Sequence, residues 1–440
     1  MLHRKPVSTG GEQMCKPLLS ILVATLLILG CLSTNRSHHR SPSTDLQQPK
    51  TRGTISWEWS YPPEAYQGEK VPIRLQVVNN SSVSEQITIQ IISTTDFPTV
   101  PPRNFFLAPG ERREETLYVV VPTNISPGEY RFKLKLGEAS QEIKINILPK
   151  TREYIIDYSL NIENSGASEA YDVKIYFPIL PNTPYQEAHL VESPTLDYQL
   201  DEDLNRVGVV SLPTIPPNSK VRIPIKYRVK TTTMTLKPRQ RAGFPTNSPQ
   251  LSRYLAPSDK IESDHPLIEK EAKKALGPEN IAGRVLGEYE KAKLLYNHVR
   301  NIMQYKPQKE RRGALQALLT RQGDCEEYTD LFIAMARSLG LPARRLHGWS
   351  YNRRTGEWEG HAWAEVYVDG VWVPSDLTWG LEKNGSKTDH FGRITADHVI
   401  FRVGEGSPPL GNALYRWEYK YQGEPPELRV TQNLRIEPVG

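Results

Sequence analysis

Residues 321–340 read Arg-Gln-Gly-Asp-Cys-Glu-Glu-Tyr-Thr-Asp-Leu-Phe-Ile-Ala-Met-Ala-Arg-Ser-Leu-Gly and predict a buried helix that begins at a cysteine. After Cys325, the residues that we expect to be buried recur at helical spacing. They are Thr329, Phe332, Ile333 and Ala336. Gly340 and Pro342 predict the helix end, because glycine readily adopts the C-terminal cap conformation and proline cannot continue a helix.

A cysteine at the start of a helix is in a position that favours a thiolate. The helix N-terminus presents unpaired N–H groups and a partial positive charge, and both stabilise an anion. An ordinary cysteine has a pKa of about 8.5, and a helix N-terminus beside an imidazolium can lower it to roughly 3.5–7.5. The same amides, including that of Cys325, can hold the oxyanion of a tetrahedral intermediate. Gln322 is a weaker candidate for a second donor.

Two partners for this thiol follow in the chain. His361 opens the run His-Ala-Trp-Ala-Glu-Val-Tyr, and Asp376 ends the run Trp-Val-Pro-Ser-Asp. The first run alternates like a strand, and Asp369-Gly370 predicts a hairpin turn that returns the chain beside it. In such a pair the imidazole takes the thiol proton, and the carboxylate fixes the tautomer and supports the imidazolium.

Each of the three residues has a structural interpretation when taken alone. A lone buried cysteine usually packs as a small apolar residue. A single histidine on a strand more often lies in the core or at an edge, and an aspartate after Pro-Ser can simply form a turn. Because Cys325, His361 and Asp376 occur together in this order, we favour a nucleophile, a base and an orienting carboxylate.

The motifs around these residues resemble a known family. They are Gly323-Asp-Cys325 at a helix start, Arg344 after Gly340-Leu-Pro-Ala, Gly348, His361-Ala-Trp-Ala-Glu365 and Trp372-Val-Pro-Ser-Asp376. Over roughly residues 265–415 they resemble the transglutaminase-like superfamily. The resemblance implies a papain-like α+β core without a cofactor, with Cys325 as the acyl-accepting nucleophile, His361 as the base and Asp376 as its orienter.

Other histidines and the tryptophans are open to simpler interpretations. His347, His390 and His398 lack a cysteine or carboxylate at metal-ligand spacing, so we predict no metal site. Aromatic side chains can line a substrate groove or fill a core, and we expect the tryptophans of this region to divide between the two. These are Trp349, Trp358, Trp363, Trp372 and Trp379.

The N-terminus predicts export. Residues 18–30 form an apolar run of the length of the hydrophobic region of a signal peptide, shorter than the roughly 20 residues of a membrane span. The run ends in Ile-Leu-Gly before Cys31 and resembles a bacterial lipobox, which implies lipidation of Cys31; an uncleaved anchor helix is the alternative. Met14 is an alternative start. We therefore expect a membrane-tethered protein on the outer face of the cytoplasmic membrane, or a secreted one.

Between the tether and the helical region, apolar residues alternate with polar ones at the period of half-buried strands. Short strands at regular spacing predict two immunoglobulin-like sandwich domains, which we interpret as spacers. The predicted fold class is thus an α+β papain-like transglutaminase core preceded by two all-β domains. The predicted division is 1–34 signal or membrane anchor, 35–54 flexible tether, 55–149 β-sandwich, 150–230 second β-sandwich, 231–264 linker and 265–440 catalytic domain with C-terminal strands.

Composition excludes some classes of partner. The chain has 440 residues and a formal net charge of +5, small for this length, so it gives no nucleic-acid footprint. Three cysteines, Cys15, Cys31 and Cys325, cannot form a disulfide framework, so Cys325 should be a free thiol. The oligomeric state is not specified by the sequence.

Together these features predict a cysteine-dependent acyl-transfer enzyme that acts on amide bonds of a protein or peptide through a thioester. We favour a hydrolase, either a peptidase or an amidase. A cross-linking transglutaminase and a non-catalytic extracellular binding or scaffold protein are the alternatives.

Overall fold

The computed structural model describes residues 3–10, 50–52, 55–93, 97–236, 249–277, 286–353, 355–381, 389–411 and 413–439. Within these residues the chain forms two compact units, one built mainly from residues 55–150 and the other mainly from residues 151–439. Strand β1 (His3–Gly10) belongs to the second unit and pairs there with the strand Tyr415–Tyr421.

The first unit consists of two sheets around one core. Its strands are β2 (Lys50–Arg52), β3 (Ile55–Ser60), β4 (Glu64–Tyr66), β5 (Lys70–Asn79), β6 (Glu85–Ser93), β7 (Arg103–Leu107), β8 (Arg112–Val120), β9 (Gly128–Leu136) and β10 (Ala139–Leu148). The sheet orders are β2-β3-β5-β8 and β4-β10-β9-β6-β7. Alternate residues of each long strand are buried, as in β5, where Ile73 and Val77 are fully enclosed. The alternation of apolar and polar residues in the sequence therefore correctly predicted strands in this unit.

The second unit begins with another β region. Its strands are β11 (Thr151–Asp157), β12 (Leu160–Asn164), β13 (Ala170–Pro178), β14 (Gln186–Glu192), β15 (Asp197–Leu200), β16 (Arg206–Ile215), β17 (Ser219–Ile223), β18 (Lys226–Thr232) and β19 (Met234–Thr235). The alternation from Ile156 to Ile162 is divided between β11 and β12. At the break, the Asp157 carboxylate accepts hydrogen bonds from the backbone and hydroxyl of Ser159, at 2.9 and 2.5 Å.

The rest of the second unit combines helices with a sheet. Its elements are α1 (Pro249–Ser252), α2 (Pro266–Leu276), α3 (Glu288–Ile302), β20 (Gln304–Tyr305), α4 (Ala314–Thr320), β21 (Gln322–Gly323), α5 (Cys325–Ser338), β22 (Ala343–Asn352), β23 (Glu357–Val368), β24 (Val371–Ser375), β25 (Arg393–Ile394), β26 (His398–Val403), β27 (Tyr415–Tyr421), β28 (Leu428–Gln432) and β29 (Arg435–Pro438). Strands β24, β23, β22 and β26 form an antiparallel sheet in that order. Helix α5 packs against this sheet.

The last three strands return to the β region that begins this unit. Strand β27 pairs with β13, β28 with β12, and β29 with β11. The core of this β region also takes in Trp349 of β22 and Val399 and Phe401 of β26. The Tyr158 and Phe401 rings, for example, are 5.5 Å apart. A spacer would not share a core with the sheet beside it, so the spacer interpretation is wrong for this region.

Two buried amide side chains of the β region also cover the edge of the mixed sheet. Gln186 donates to the carbonyl of Ile400 at 2.9 Å and accepts from its N–H at 2.7 Å. Asn205 makes the same pair of bonds to Val403, at 2.7 and 2.9 Å. An unpaired strand edge exposes backbone N–H and carbonyl groups, and here the side-chain amides of Gln186 and Asn205 form hydrogen bonds with them. Strand β26 is therefore held on both sides.

The predicted fold class is confirmed. Residues 55–235 contain strands only in their described part, and the C-terminal region combines helices and sheets. Residues 11–34 of the predicted signal or anchor segment, which include Cys31, and residues 35–49 of the predicted tether lie outside the described residues, whereas residues 3–10 form β1. Among the helices of the described ranges, none has the length and apolar character that a membrane crossing requires. The domain boundaries stay predictions.

Candidate active site

Cys325 is the first residue of α5, and the helix start is capped from both directions. The Asp324 side chain accepts from the N–H of Glu326 at 3.0 Å and from that of Glu327. In return, Glu327 accepts from the Asp324 N–H at 3.1 Å and from that of Arg312 at 2.8 Å. This reciprocal capping box fixes the first turn of the helix and hence the position of Cys325.

The hairpin predicted after the cysteine helix carries the other two residues. His361 lies in β23 opposite Gly348 of β22, and Asp376 directly follows β24. The turn between β23 and β24 contains Asp369 and Gly370, both at positive φ, as a tight two-residue hairpin requires. The Asp376 side chain therefore returns beside His361.

These three residues are in contact. The His361 Nε2 atom is 2.7 Å from Oδ2 of Asp376. The Cys325 side chain is a hydrogen-bond partner of His361, and Nδ1 is the nitrogen left for it. All three residues are buried, with exposed fractions of 4% for Cys325, 6% for His361 and 1% for Asp376. The structure thus brings all three predicted residues together.

The charges of this cluster support one another. Burial alone would lower the pKa of His361, but the charge and hydrogen bond of Asp376, together with Cys325, outweigh it and raise this pKa to about 10. Burial would also raise the pKa of Asp376, and the hydrogen bonds and charges of His361 and His398 instead hold it well below its usual range. The arrangement favours a protonated imidazole next to an ionised carboxylate.

Asp376 is held by more than His361. Its Oδ1 atom accepts from the backbone N–H groups of Thr378 and Trp379, at 3.0 and 2.9 Å. Its Oδ2 atom lies 3.0 Å from Nε2 of a second histidine, His398. Its backbone carbonyl accepts from the hydroxyl of Tyr296 in α3 at 2.9 Å. The position of this carboxylate is thus set by several separate elements.

His398 is the residue that the sequence analysis set aside. It is 2% exposed and opens β26, far along the chain from the motifs around Cys325. The sequence around His398 shows only that it precedes an apolar strand. This pattern does not predict a contact with a carboxylate. His347 and His390 are also buried; for both, burial and neighbouring arginines hold the pKa well below its usual range. Both are neutral core histidines.

Side-chain atoms of His361, Asp376 and His398 lie within 4.8 Å of one another and offer three metal-binding groups. Both Nε2 atoms, however, face the same carboxylate oxygen at 2.7 and 3.0 Å. Ligands around a tetrahedral zinc with bonds of about 2.0–2.1 Å are about 3.3 Å apart. The observed distances are those of hydrogen bonds, and the described arrangement is a hydrogen-bonded one.

Two tryptophans pack on the imidazole of His361. Trp363 stacks on it and Trp379 lies at a tilt, with ring centroids 5.5 Å away in each case. Trp363 is fully buried, whereas Trp379 is partly exposed and also contacts His398. Trp349 is buried in the core. Of these, Trp379 is the one that combines contact with His361 and access to solvent.

The second oxyanion donor predicted at Gln322 has other contacts. The Gln322 Oε1 atom lies 3.1 Å from Nζ of Lys306, and its backbone pairs with Gln304 in the parallel bridge between β20 and β21. The role of Gln322 as an oxyanion donor stays a prediction.

Buried ion pairs lock the cysteine helix to the sheet. Asp330 in α5 binds Arg345 of β22 and receives two bonds from Arg311, at 2.7 and 2.9 Å. Arg345 also lies 3.2 Å from Glu326. Asp330 and Arg345 are both fully buried, so each depends on the other for its charge to be compensated.

The family comparison agrees with the motifs around this site. A family model described as the transglutaminase-like superfamily matches residues 278–377. That range includes Cys325, His361 and Asp376. This part of the chain is therefore similar to transglutaminase-like domains. A search of the curated proteins found no match.

Solved structures show more distant likenesses. "The Crystal Structure of a Putative Cysteine Protease from Cytophaga hutchinsonii" is 17% identical with a TM-score of 0.44, over 66% of this chain and 91% of that one. The CARDB domain of a Pyrococcus furiosus protein is 13% identical with a TM-score of 0.19, over 22% of this chain and 94% of that one. A β-glucosidase from Listeria innocua is 14% identical with a TM-score of 0.19, over 23% of this chain and only 16% of its own length. Identities and TM-scores this low carry no argument about activity.

Proposed function

We propose that the protein is a cysteine-dependent acyl-transfer enzyme, and that it hydrolyses amide bonds of a protein or peptide. The observation that carries this proposal is the continuous contact from Cys325 through His361 to Asp376. The thiol starts a helix, the imidazole is its neighbour, and the carboxylate keeps the imidazole protonated. Such an arrangement produces a reactive thiolate at neutral pH.

Before the first half of the reaction the Cys325 proton already lies on His361, and the resulting thiolate attacks the carbonyl carbon of the substrate. The N–H of Cys325 at the helix start is the donor that we assign to the resulting oxyanion. When the intermediate collapses, the C–N bond breaks and His361 gives its proton to the leaving amine. The product of this half is a thioester on Cys325.

In the second half, His361 takes a proton from water while the oxygen attacks the thioester carbonyl. The C–S bond breaks and the carboxylic acid leaves. The thiolate of Cys325 and the imidazolium of His361 are thereby restored. Asp376 remains ionised throughout and supports the imidazolium whenever it forms.

A cross-linking transglutaminase is the second candidate. It would form the same thioester and differ only in the acceptor, because an amine and not water would resolve it. The match to the family model does not distinguish the two reactions, because the model describes the whole superfamily. Our preference for hydrolysis rests on the simple core and the lipobox-like start of the sequence.

The acceptor can be tested directly. The full-length protein is incubated with a panel of peptides and cell-wall fragments, and separately with a glutamine peptide plus a primary amine, and the products are weighed by mass spectrometry. Hydrolysis predicts cleaved peptides, or free acids with release of ammonia. An amine adduct formed with ammonia release would instead establish a transferase. Cys325→Ser is the control and should give neither product.

Export and membrane attachment are part of the proposal and rest on the sequence alone. The apolar segment 18–30 and Cys31 would hold the folded part outside the cytoplasmic membrane. Mass spectrometry of the mature N-terminus tests this. A diacyl-type modification on Cys31 that disappears in Cys31→Ser would support the lipid anchor, and an unmodified N-terminal segment would favour a helix anchor.

A non-catalytic binding protein is the alternative from another class. It would need no reactive thiol, and its ligand affinity should be unchanged in Cys325→Ser. Binding of a peptide or glycan without any conversion, together with an ordinary Cys325 thiol, would favour that interpretation.

A further inference from the structure

His398 shares one carboxylate oxygen with His361. Its Nε2 atom is 3.0 Å from Oδ2 of Asp376, and the Nε2 atom of His361 is 2.7 Å from the same oxygen. The imidazole rings of the two histidines are 5.8 Å apart. The shared carboxylate is the hydrogen-bonded link between His398 and His361, and Trp363 and Trp379 pack against both imidazoles.

We propose that His398 is a positioning residue that holds the Asp376 carboxylate in the orientation in which it binds His361. This inference rests on the proposed function, because it concerns the same reactive cluster. With His398 present, each oxygen of Asp376 has at least two hydrogen-bond partners, so rotation of the carboxylate would break several bonds at once. Without it, Oδ2 would be held only by the residue that it must orient.

The partner of the other ring nitrogen suits this role. The hydroxyl of Thr395 lies 2.9 Å from Nδ1 of His398. Nε2 of His398 can donate to Asp376 while the Thr395 hydroxyl, which can donate or accept, pairs with Nδ1. Thr395 therefore holds the imidazole from the side opposite the carboxylate.

The turn that carries His398 is anchored by the β region of the same unit. The carbonyl of Ala396 accepts from the hydroxyls of Tyr154 in β11 and Thr231 in β18, at 3.1 and 2.6 Å. The neighbouring Asp397 receives two bonds from Arg353, at 2.8 and 2.9 Å. The two contacts to Ala396 are buried and come from strands outside the mixed sheet, whereas Arg353 lies in the turn that follows β22. The β region thereby reaches Asp376 through His398.

Other titratable or charged groups surround the pair and must be considered in any pH profile. Cys325 faces His361 from α5, and Asp376 faces it from the end of β24. His390 lies close enough to Asp376 and His398 to interact with their charges. Arg393, from the segment after β24, and Tyr296 and Arg300, from α3, are further titratable or charged groups near these residues. None of these is altered by the variants below.

The test is the rate of alkylation of Cys325 by a small iodoacetamide probe across pH, measured in the full-length protein and localised by peptide mass spectrometry. His398→Leu removes the donor, and His398→Gln keeps an amide donor near the position of Nε2. We expect His398→Leu to shift the acid limb of the profile upward by about one pH unit, and therefore to lower the rate on that limb about tenfold. We expect His398→Gln to stay within about threefold of the wild type.

His189→Leu is the matched control, because His189 is exposed on β14 and paired only with Glu187. It should leave the profile unchanged. If His398→Leu fails to fold, Thr395→Val replaces it in the test. This variant keeps the imidazole but removes the hydroxyl that pairs with its Nδ1 atom. We expect a smaller shift of the acid limb in the same direction.

The outcomes separate this inference from the proposed function. A wild-type Cys325 that reacts no faster than in the unfolded protein would overturn both. A reactive wild-type thiol, with His398→Leu and Thr395→Val profiles that match it, would overturn only the role of His398. Equal losses in His398→Leu and His398→Gln without a shift of the acid limb would also overturn it, because they would reveal packing alone.

Discussion

Gly348 in β22 lies directly opposite His361 in β23. A Cβ atom at Gly348 would lie 1.9 Å from the backbone carbonyl oxygen of Val399 in β26, far inside van der Waals contact. Strand β26 can therefore pack this closely only because residue 348 has no side chain. The same strand begins with His398, so the approach at Gly348 also sets the distance between the two histidines that bind Asp376.

Gly348→Ala should destabilise the protein and disturb the site together. The clash is with backbone, which cannot be relieved by a rotamer change, so we expect a loss of about 3 kcal/mol or more in the free energy of unfolding. Urea unfolding measures it. Gly287→Ala is the control, because a Cβ there meets nothing within 4 Å and φ is −69°; it should cost at most about 1 kcal/mol. Similar losses in both variants would contradict the packing described.

Glu327→Gln should loosen the start of α5. The carboxylate accepts from two backbone N–H groups, those of Asp324 and Arg312, whereas an amide offers only one oxygen. One buried N–H then loses its partner, at a cost of about 1–3 kcal/mol. The urea midpoint of unfolding and the alkylation rate of Cys325 should both decrease. Glu290→Gln, at the corresponding position of α3, should have a smaller effect, because Glu290 accepts there from the N–H of Gly287 at an exposed site.

The charge state of His361 should appear in the pH dependence of stability. Its pKa rises from 6.5 to about 10 on folding, so the folded state holds the proton more tightly. This contribution is fully present below about pH 6.5 and is lost as the pH rises toward 10. Asp376 has a lowered pKa, so its contribution is fully present above its unfolded value of 3.8 and is lost as the pH falls below that value. Both are complete between about pH 5 and 6.5.

His361→Gln should therefore remove part of the decline in stability at alkaline pH. Urea midpoints at pH 6, 8 and 9.5 give the measurement, and the difference between wild type and variant should shrink as the pH rises. A difference that stays constant across this range would mean that the histidine is not protonated in the folded state at neutral pH.

Asp330→Asn should be strongly destabilising, because it leaves Arg345 buried without its closest charge partner and weakens the two bonds from Arg311. Breaking one side of a buried ion pair typically costs about 3–5 kcal/mol. Thermal or urea unfolding shows the loss. Glu163→Gln in the exposed pair with Lys220 should produce no measurable change. A neutral result at Asp330 would show that the guanidinium groups find other partners.

The sequence predicted those parts of the site that depend on local pattern. The helix that begins at Cys325 follows from apolar spacing and the closing glycine and proline, and the hairpin that carries His361 toward Asp376 follows from alternation and the Asp-Gly turn. Both features are written within short stretches of chain, so periodicity and turn chemistry suffice to predict them.

Contacts between distant segments were not predictable in this way. His398 reaches Asp376 only because β26 pairs with β22, and no local feature of its surroundings encodes that pairing. Likewise the strands β27 to β29 complete sheets that begin with β11 to β13, more than 200 residues earlier in the sequence. A single sequence carries strand propensity but not the choice of partner.

The reactivity of the Cys325 thiol tests the central claim most directly. The full-length protein is treated with a small alkylating probe at neutral pH, and the modified peptides are separated so that Cys325 is distinguished from Cys15 and Cys31. We predict that folded Cys325 reacts much faster than the same residue in unfolded protein, and that His361→Ala removes this advantage. A folded thiol that reacts no faster than the unfolded one, with no effect of His361→Ala, would contradict the assignment of Cys325 as a nucleophile.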